Sequence, residues 1–224
     1  GNADMMHYHA TPEDHAVLEK KGFLLVDSGA TYMDGTTDIT RTYPLGPLTE
    51  DEKRFYTWTL QSHIDLAKAV WLDYCECKMI DTIAREPLWR HLINYRCGTG
   101  HSVSFVGNVH EGPHSLRGTN SVLMRPGMVV TDEPGVYETD LVGIRIENEL
   151  VCVHKADNQY GTFLGFEPLM FVPIATSPIL PGVLDKDEIA WLNDYHRQVF
   201  AKLAPHLNDE ERSWLAEKCA AIGC

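Results

Sequence analysis

The sequence predicts an α+β layer fold. Strand-like segments cluster before about residue 44 and again between about 122 and 172, and two helical patterns lie between them. Two acid-led helical patterns then close the chain. Helices set between groups of antiparallel strands are the signature of that class.

Taken in order, residues 4–8 and 22–27 read as short strands, joined by a polar loop that carries Pro12, Glu13 and Asp14. Residues 30–34 and 37–43 read as a hairpin around Asp34-Gly35, a strong turn pair. Thr49, followed by Glu50, Asp51 and Glu52, is a helix start: a hydroxyl cap with acids in the first turn. A long amphipathic helix is expected from there to about Cys75, with Phe55, Trp58, Ile64, Ala67 and Trp71 near helical spacing. A second helix is expected from Met79 to Tyr95, kinked or broken at Pro87.

Residues 98–118 lose the helical period and read as extended loop and strand. Further strands are expected at 122–124, 128–132, 144–153 and 168–172, with a turn at Arg125-Pro126-Gly127-Met128. Pro178, Pro181 and Gly182 mark a boundary, and helices follow at 185–202 and 208–221. The whole of residues 1–224 is read as one domain. Its opening at Gly1 suggests a C-terminal piece of a longer chain.

Composition narrows the function. Hydrophobic residues make up 44% and charged residues 23%, the balance of a soluble globular protein. A net charge of -13 argues against nucleic acid or an anionic membrane as partner, since both need a basic face. No apolar run approaches a membrane span. Six cysteines without a C-x-x-C pair read as free thiols. These features fit the cytoplasm.

Five side chains stand out: Asp27, Asp38, His101, Glu133 and Glu147. Two Asp, two Glu and one His suit a pair of hard-to-borderline divalent cations better than a thiolate-rich zinc site would. Singly, each has a plainer reading. Asp27 can end a strand in an Asp-Ser-Gly turn. His101 can be a structural histidine, and Glu133 a turn residue before Pro134-Gly135. Asp38, among β-formers, and Glu147, breaking an apolar alternation, are harder to explain so. In a strand, Arg145 and Glu147 share one face, opposite Ile144 and Ile146. Arg145 either binds a substrate carboxylate or pairs with Glu147.

His110-Glu111-Gly112-Pro113-His114 matches H-E-x-x-H in letters. That zinc motif needs a helix to set both His on one face, and Gly112 and Pro113 oppose a helix. His110 alone can still move a proton or serve as a structural loop histidine. Trp58, Trp71 and Trp89 read as core, and Cys75 and Cys77 as incidental.

In register, the segments LLVDSG, GTTDITRT, GTGH, NVHEGP, TDEPGVY and GIRIENEL resemble the catalytic domain of aminopeptidase P. This is the Xaa-Pro aminopeptidase branch of the pita-bread metallopeptidases, with prolidase, methionine aminopeptidase and creatinase as relatives. The resemblance covers nearly the whole chain. It implies a pita-bread fold and a site with two divalent metals, usually Mn²⁺. The implied reaction removes the N-terminal residue from peptides with proline in second position.

By the same resemblance Asp27 serves one metal, Asp38 and Glu147 bridge both, and His101 and Glu133 complete the second. His110 and His7 contact substrate, and Arg145 is the active-site arginine. Cys97 stands where the family often has His, and Ser102 and Ser104 where it often has Gly. The family's catalytic domain usually begins with an earlier helix pair. This chain is therefore expected to pack against a separate N-terminal piece or a second protomer, as in a homodimer.

Overall fold

The computed structural model describes Ala3, Met5, Met6 and residues 8–223. Its first regular element is a hairpin of β1 (Phe23–Tyr32) and β2 (Gly35–Pro44), in antiparallel register from Phe23 opposite Pro44 to Tyr32 opposite Gly35. The two expected segments 22–27 and 30–34 are thus one strand. The loop is Met33-Asp34, and Gly35, at φ 149°, takes a backbone conformation that side chains disfavour. The strand expected at 4–8 is absent among the described residues: Tyr8 N–H closes a turn onto Met5 O. On β2, Thr36, Asp38, Thr40 and Thr42 alternate into the interior, the period of a strand with one buried face.

Helix α1 spans Glu50–Ala67 and starts as expected, with Thr49 and Glu52 in a reciprocal capping box. It stops eight residues before the expected end at Cys75. Val70–Leu72 instead forms β3, which pairs with the strand at Gly161–Pro168 and packs Trp71 against Phe166, ring centroids 4.6 Å apart. Burying an aromatic in a sheet there outweighs the small gain from two more helical turns.

Helix α2 is Cys77–Trp89, shorter than expected. Pro87 lies in its last turn, where it removes one helical hydrogen bond, and the helix ends two residues later.

The remaining strands are β4 (Gly100–Ser102), β5 (Glu111–Leu116), β6 (Val129–Asp132), β7 (Gly135–Glu138), β8 (Val142–Arg145), β9 (Asn148–Asn158) and β10 (Gly161–Pro168). Six form one antiparallel sheet in the order β3-β10-β9-β6-β4-β5, and β7-β8 is a separate hairpin. The expected strand at 122–124 reduces to one bridge, Leu123 to Glu76. The expected strand at 144–153 is split between β8 and β9, with Ile146 and Glu147 between them. Residues beyond Pro168 leave the sheet, so the strand expected at 168–172 lies earlier in the chain. The closing helices are α3 (Lys186–Leu203), capped by Asp185, and α4 (Asp209–Lys218), capped by Asn208.

The sheet is two-sided. Leu150, Cys152, Leu164 and Phe166 pack with Leu66, Ile80 and Ala84 of α1 and α2. Ile144 and Ile146 pack with Leu60, Ile64, Leu192 and Val199 of α1 and α3. Each fully buried aliphatic side chain contributes about 1.5–3 kcal/mol. By the strand period, Thr131 and Glu149, paired across β6 and β9, face away from the helices, and that second face adjoins the polar site.

Candidate metal centre

Three elements bring the central residues together. Asp38 comes from β2, His101 from β4, and Glu147 from the link between β8 and β9. Donor atoms of these three lie within 4.8 Å of one another. His101 Nε2 is 3.4 Å from Asp38 Oδ2 and 3.2 Å from Glu133 Oε1. Glu133 is fixed by its own N–H to Thr99 O, at 2.8 Å, and by the Thr131 hydroxyl, which donates to Oε1 at 2.9 Å. That hydroxyl also accepts from His101 N–H at 3.0 Å, so one threonine sets two adjoining site residues. The approach of β4 to β6 needs Gly100: a Cβ there would lie 1.7 Å from Thr131 O.

Glu147 is 1% exposed. Its Oε2 accepts from Thr40 Oγ1 at 2.5 Å, while Oε1 has no partner. Burial, with Glu133 and Asp38 close by, raises its pKa well above the usual carboxylate range. Burial opposes charge on His101, but its hydrogen bonds to Asp38 and Glu133 outweigh this and push its pKa to about 10. A proton on Nε2 therefore sits where several carboxylates ask for a cation.

Asp27 stands slightly apart. Its Oδ2 accepts from Arg145 Nη2 at 2.6 Å, and its side chain is 46% exposed. Arg145 itself is buried: Nη1 donates to Tyr137 OH at 2.9 Å and Nε to Thr40 Oγ1 at 3.0 Å. Of the two roles expected for Arg145, direct pairing with Glu147 is not seen. Arg145 pairs with Asp27 and reaches Glu147 through the Thr40 hydroxyl.

The donor set fits divalent cations. Asp38, His101 and Glu147 converge with Glu133 against His101, one oxygen of the buried Glu147 carboxylate has no partner, and the acids repel one another without added positive charge. His101 Nδ1 lies 3.1 Å from Ser102 O, so a neutral ring donates there and presents Nε2 to the cluster.

His110 is exposed, and its ring meets the His101 ring edge-on with centroids 4.0 Å apart. Cys97, His101, His110 and Glu133 share a cavity of about 410 Å³. His114 is in strand β5, not on a helix with His110, and its Nε2 lies 2.8 Å from Val129 O. His7 falls outside the described residues.

Several supporting residues escaped the sequence reading. Arg41 bonds through Nη1 to the carbonyls of Thr40 and Glu147, and through Nη2 to Asn148 Oδ1 at 2.8 Å and Val172 O at 2.7 Å. It ties the strand of Asp38 to the backbone of Glu147. His63 of α1 puts Nδ1 3.1 Å from Asp132 Oδ2 and Nε2 3.3 Å from Asn148 Nδ2, behind Glu133 and Glu147. Thr40 and Arg41 could have been noticed, since they follow Asp38 within one polar strand. His63 gives no such signal.

Residues 1–154 match the model of metallopeptidase family M24, and residues 162–222 that of the C-terminal region of peptidase M24. A probable Xaa-Pro aminopeptidase P of Coprinopsis cinerea is 39% identical over 99% of this chain and 37% of its own. Aminopeptidase P1 of Lotus japonicus is 41% identical over 99% and 34%. This chain thus spans about a third of the length of such relatives. The crystal structure of an X-prolyl aminopeptidase from Caenorhabditis elegans, described as a cytosolic enzyme with a di-nuclear active site, superposes with a TM-score of 0.93 at 36% identity. It covers 99% of this chain and 37% of that one. Prolidase from Pyrococcus furiosus gives 0.62 at 27% identity, over 75% of this chain and 45% of its own.

Proposed function

The chain belongs to metallopeptidase family M24 and has its pita-bread fold, and from that premise we propose a two-metal exopeptidase that removes the N-terminal residue from peptides with proline in second position. The observation that carries this reading is the convergence of Asp38, His101 and Glu147 within 4.8 Å, with Glu133 against His101 and Asp27 at the rim. The metal ligands are Asp27, Asp38, His101, Glu133 and Glu147, with Asp38 and Glu147 shared. An oxygen-rich set with one imidazole favours Mn²⁺. Two such cations would supply a water acidic enough to act as nucleophile at neutral pH and positive charge for the developing oxyanion.

The chain's own groups do the rest. Thr40 and Thr131 hold Glu147 and Glu133 in place. Arg145, locked by Tyr137, holds Asp27. His110, exposed beside His101, contacts the substrate and carries a proton between it and solvent. His7 is assigned to the substrate pocket on the family resemblance alone. The relatives named as aminopeptidases P support the preference for proline in second position.

The free thiols at Cys75, Cys77, Cys97, Cys152 and Cys219, and the cytosolic relative, support a cytoplasmic setting. No helix among the described residues is long and apolar enough to cross a membrane. The outer edge of β1 pairs with no strand among the described residues and exposes Val26 and Tyr32. We assign this edge to a preceding segment of the same protein. A soluble, cooperatively folding monomer of residues 1–224 would overturn that assignment, and a homodimer sealed by the edge would replace the segment with a second copy.

The test is a panel of X-Pro-Ala and X-Ala-Ala tripeptides and X-Pro dipeptides, with added Mn²⁺ or with chelator. Metal-dependent release of the first residue from X-Pro-Ala alone is expected. Cleavage confined to dipeptides would instead make the protein a prolidase, and no cleavage at all would sink the peptidase reading.

A further inference from the structure

The cavity at His101 and Glu133 also has Arg117 in its lining. At that residue and at Cys97 it meets an outer cavity of about 610 Å³, since both residues line both. The cationic side chains of the outer cavity are Lys78, Arg85, Arg96 and Arg117. Lys78 is paired with Glu76, and Arg85 with Asp81, whose other oxygen accepts from the Thr99 hydroxyl. Arg96 and Arg117 are exposed, and neither pairs with an acid among the described residues. In a chain of net charge -13, this local surplus of positive charge runs against the average.

Strand register places Arg117 relative to the cluster. On β5, Ser115 lies opposite His101, and Leu116 opposite Gly100. Residues opposite one another in antiparallel strands point to the same face, so Ser115 shares the face of His101. Leu116, 0% exposed, points the other way, into the core that holds Ile80 and Ala84 of α2. Arg117 returns to the His101 side, about 7 Å along the chain from Ser115, and lines the same cavity. A Cβ on Gly98 would lie 3.5 Å from Arg117 Nε, so the side chain leans over the segment that leads into His101.

We propose that Arg117, with Arg96 in the same outer cavity, binds a carboxylate that the substrate carries beyond its proline. The proposal rests on the X-Pro exopeptidase reading above. The charges set the direction of the substrate. Its amino end is drawn to the acids of the cluster, and its carboxylate end to guanidinium groups that lack a partner. An extended peptide covers about 3.3–3.6 Å per residue, so proline and one further residue reach about 7 Å past the scissile carbonyl. The terminal carboxylate of a tripeptide then meets Arg117, and that of an X-Pro dipeptide stops a residue short. An acidic side chain in third position presents the same group at the same place. The planar fork of N–H donors on arginine matches a carboxylate through two parallel hydrogen bonds.

The experiment measures kcat and KM of the Mn²⁺-loaded full chain for two pairs of peptides: Leu-Pro-Ala with its C-terminal amide, and Leu-Pro-Glu-amide with Leu-Pro-Lys-amide. Wild type, Arg117→Gln and Arg117→Lys are compared. Wild type is expected to favour the carboxylate-bearing member of a pair by about tenfold in kcat/KM. The difference should lie in KM, because the carboxylate is remote from the reacting bond. A preference in the first pair makes the chain terminus the source of the carboxylate, and one in the second pair makes it an acidic side chain. In Arg117→Gln the ratio should fall towards one, and Arg117→Lys should restore part of it. No preference in either pair, or one that survives in Arg117→Gln, would overturn the assignment and leave the peptidase standing. Should Arg117→Gln not fold, the wild-type panel still decides: equal kcat/KM within both pairs refutes the subsite. Failure to cleave any of the four peptides would remove the peptidase reading and this inference with it.

Discussion

The hydroxyl of Thr40 donates to Glu147 Oε2 at 2.5 Å, and it can do so because Arg145 Nε donates to the same hydroxyl at 3.0 Å. The pair leaves Glu147 Oε1 as the one free oxygen of a buried carboxylate. On the proposed reading of Glu147 as a shared metal ligand, Thr40 aims it. Thr40→Val should weaken Mn²⁺ binding about 10–100-fold in titration calorimetry, and Thr40→Ser should restore most of it. Unchanged affinity in Thr40→Val would show that the hydroxyl has no aiming role.

Without metal the same cluster works against the fold. Glu147 is buried beside Glu133 and Asp38, so its negative charge is held at a cost. Glu147→Gln should therefore raise the melting temperature of metal-free protein while abolishing both Mn²⁺ binding and turnover. Asp38→Ala should abolish them as well. A lower melting temperature for metal-free Glu147→Gln would contradict the electrostatic account, and near-normal turnover in either variant would contradict the ligand assignment.

His196 sets an acid limit on stability. It is fully buried, and Nε2 accepts from Ile174 N–H at 3.1 Å. Burial, then the nearby Arg41 charge, pushes its pKa down to about 4. The unfolded chain, with an ordinary histidine near 6.5, takes up the proton first. Stability from this group is thus full above about pH 6.5 and falls as pH drops towards 4, by about 3 kcal/mol in all. Urea unfolding at several pH values in that window should show a shallower slope for His196→Gln than for wild type. Equal slopes would place the acid sensitivity elsewhere.

His63 braces the strands behind the cluster from α1. Its side chain is 0% exposed beside Asp132, also 0% exposed, and near Asn148. Removing it leaves a buried carboxylate uncompensated, which costs about 3–5 kcal/mol. His63→Leu should lower the unfolding free energy by that order, and adding Asp132→Asn should recover part of it. A double variant no better than the single would show that the loss is packing alone.

The fold class and most elements were readable locally. The Thr49–Glu52 cap, the period-2 run of β2 and the Asp185 and Asn208 caps depend on neighbours within a few residues. The misreadings arose where distant chain intervenes. Residues 70–72 have helical spacing, but β10 offers them a sheet edge. The apolar run 144–153 looks like one strand, but it leaves the β7–β8 hairpin and joins the large sheet.

The site divides in the same way. The chemical types of the five acidic and imidazole side chains, their order and their placement on or beside strands follow from the chain alone, because side-chain chemistry and strand alternation are local. Which of them meet does not. The Thr40–Glu147 bond joins residues 107 apart, and the Arg145–Asp27 bond residues 118 apart. Such contacts exist only once the sheet, the hairpin and α1 are packed together. The same packing buries Glu149, a carboxylate unremarkable in the sequence, and leaves its Oε1 without a partner.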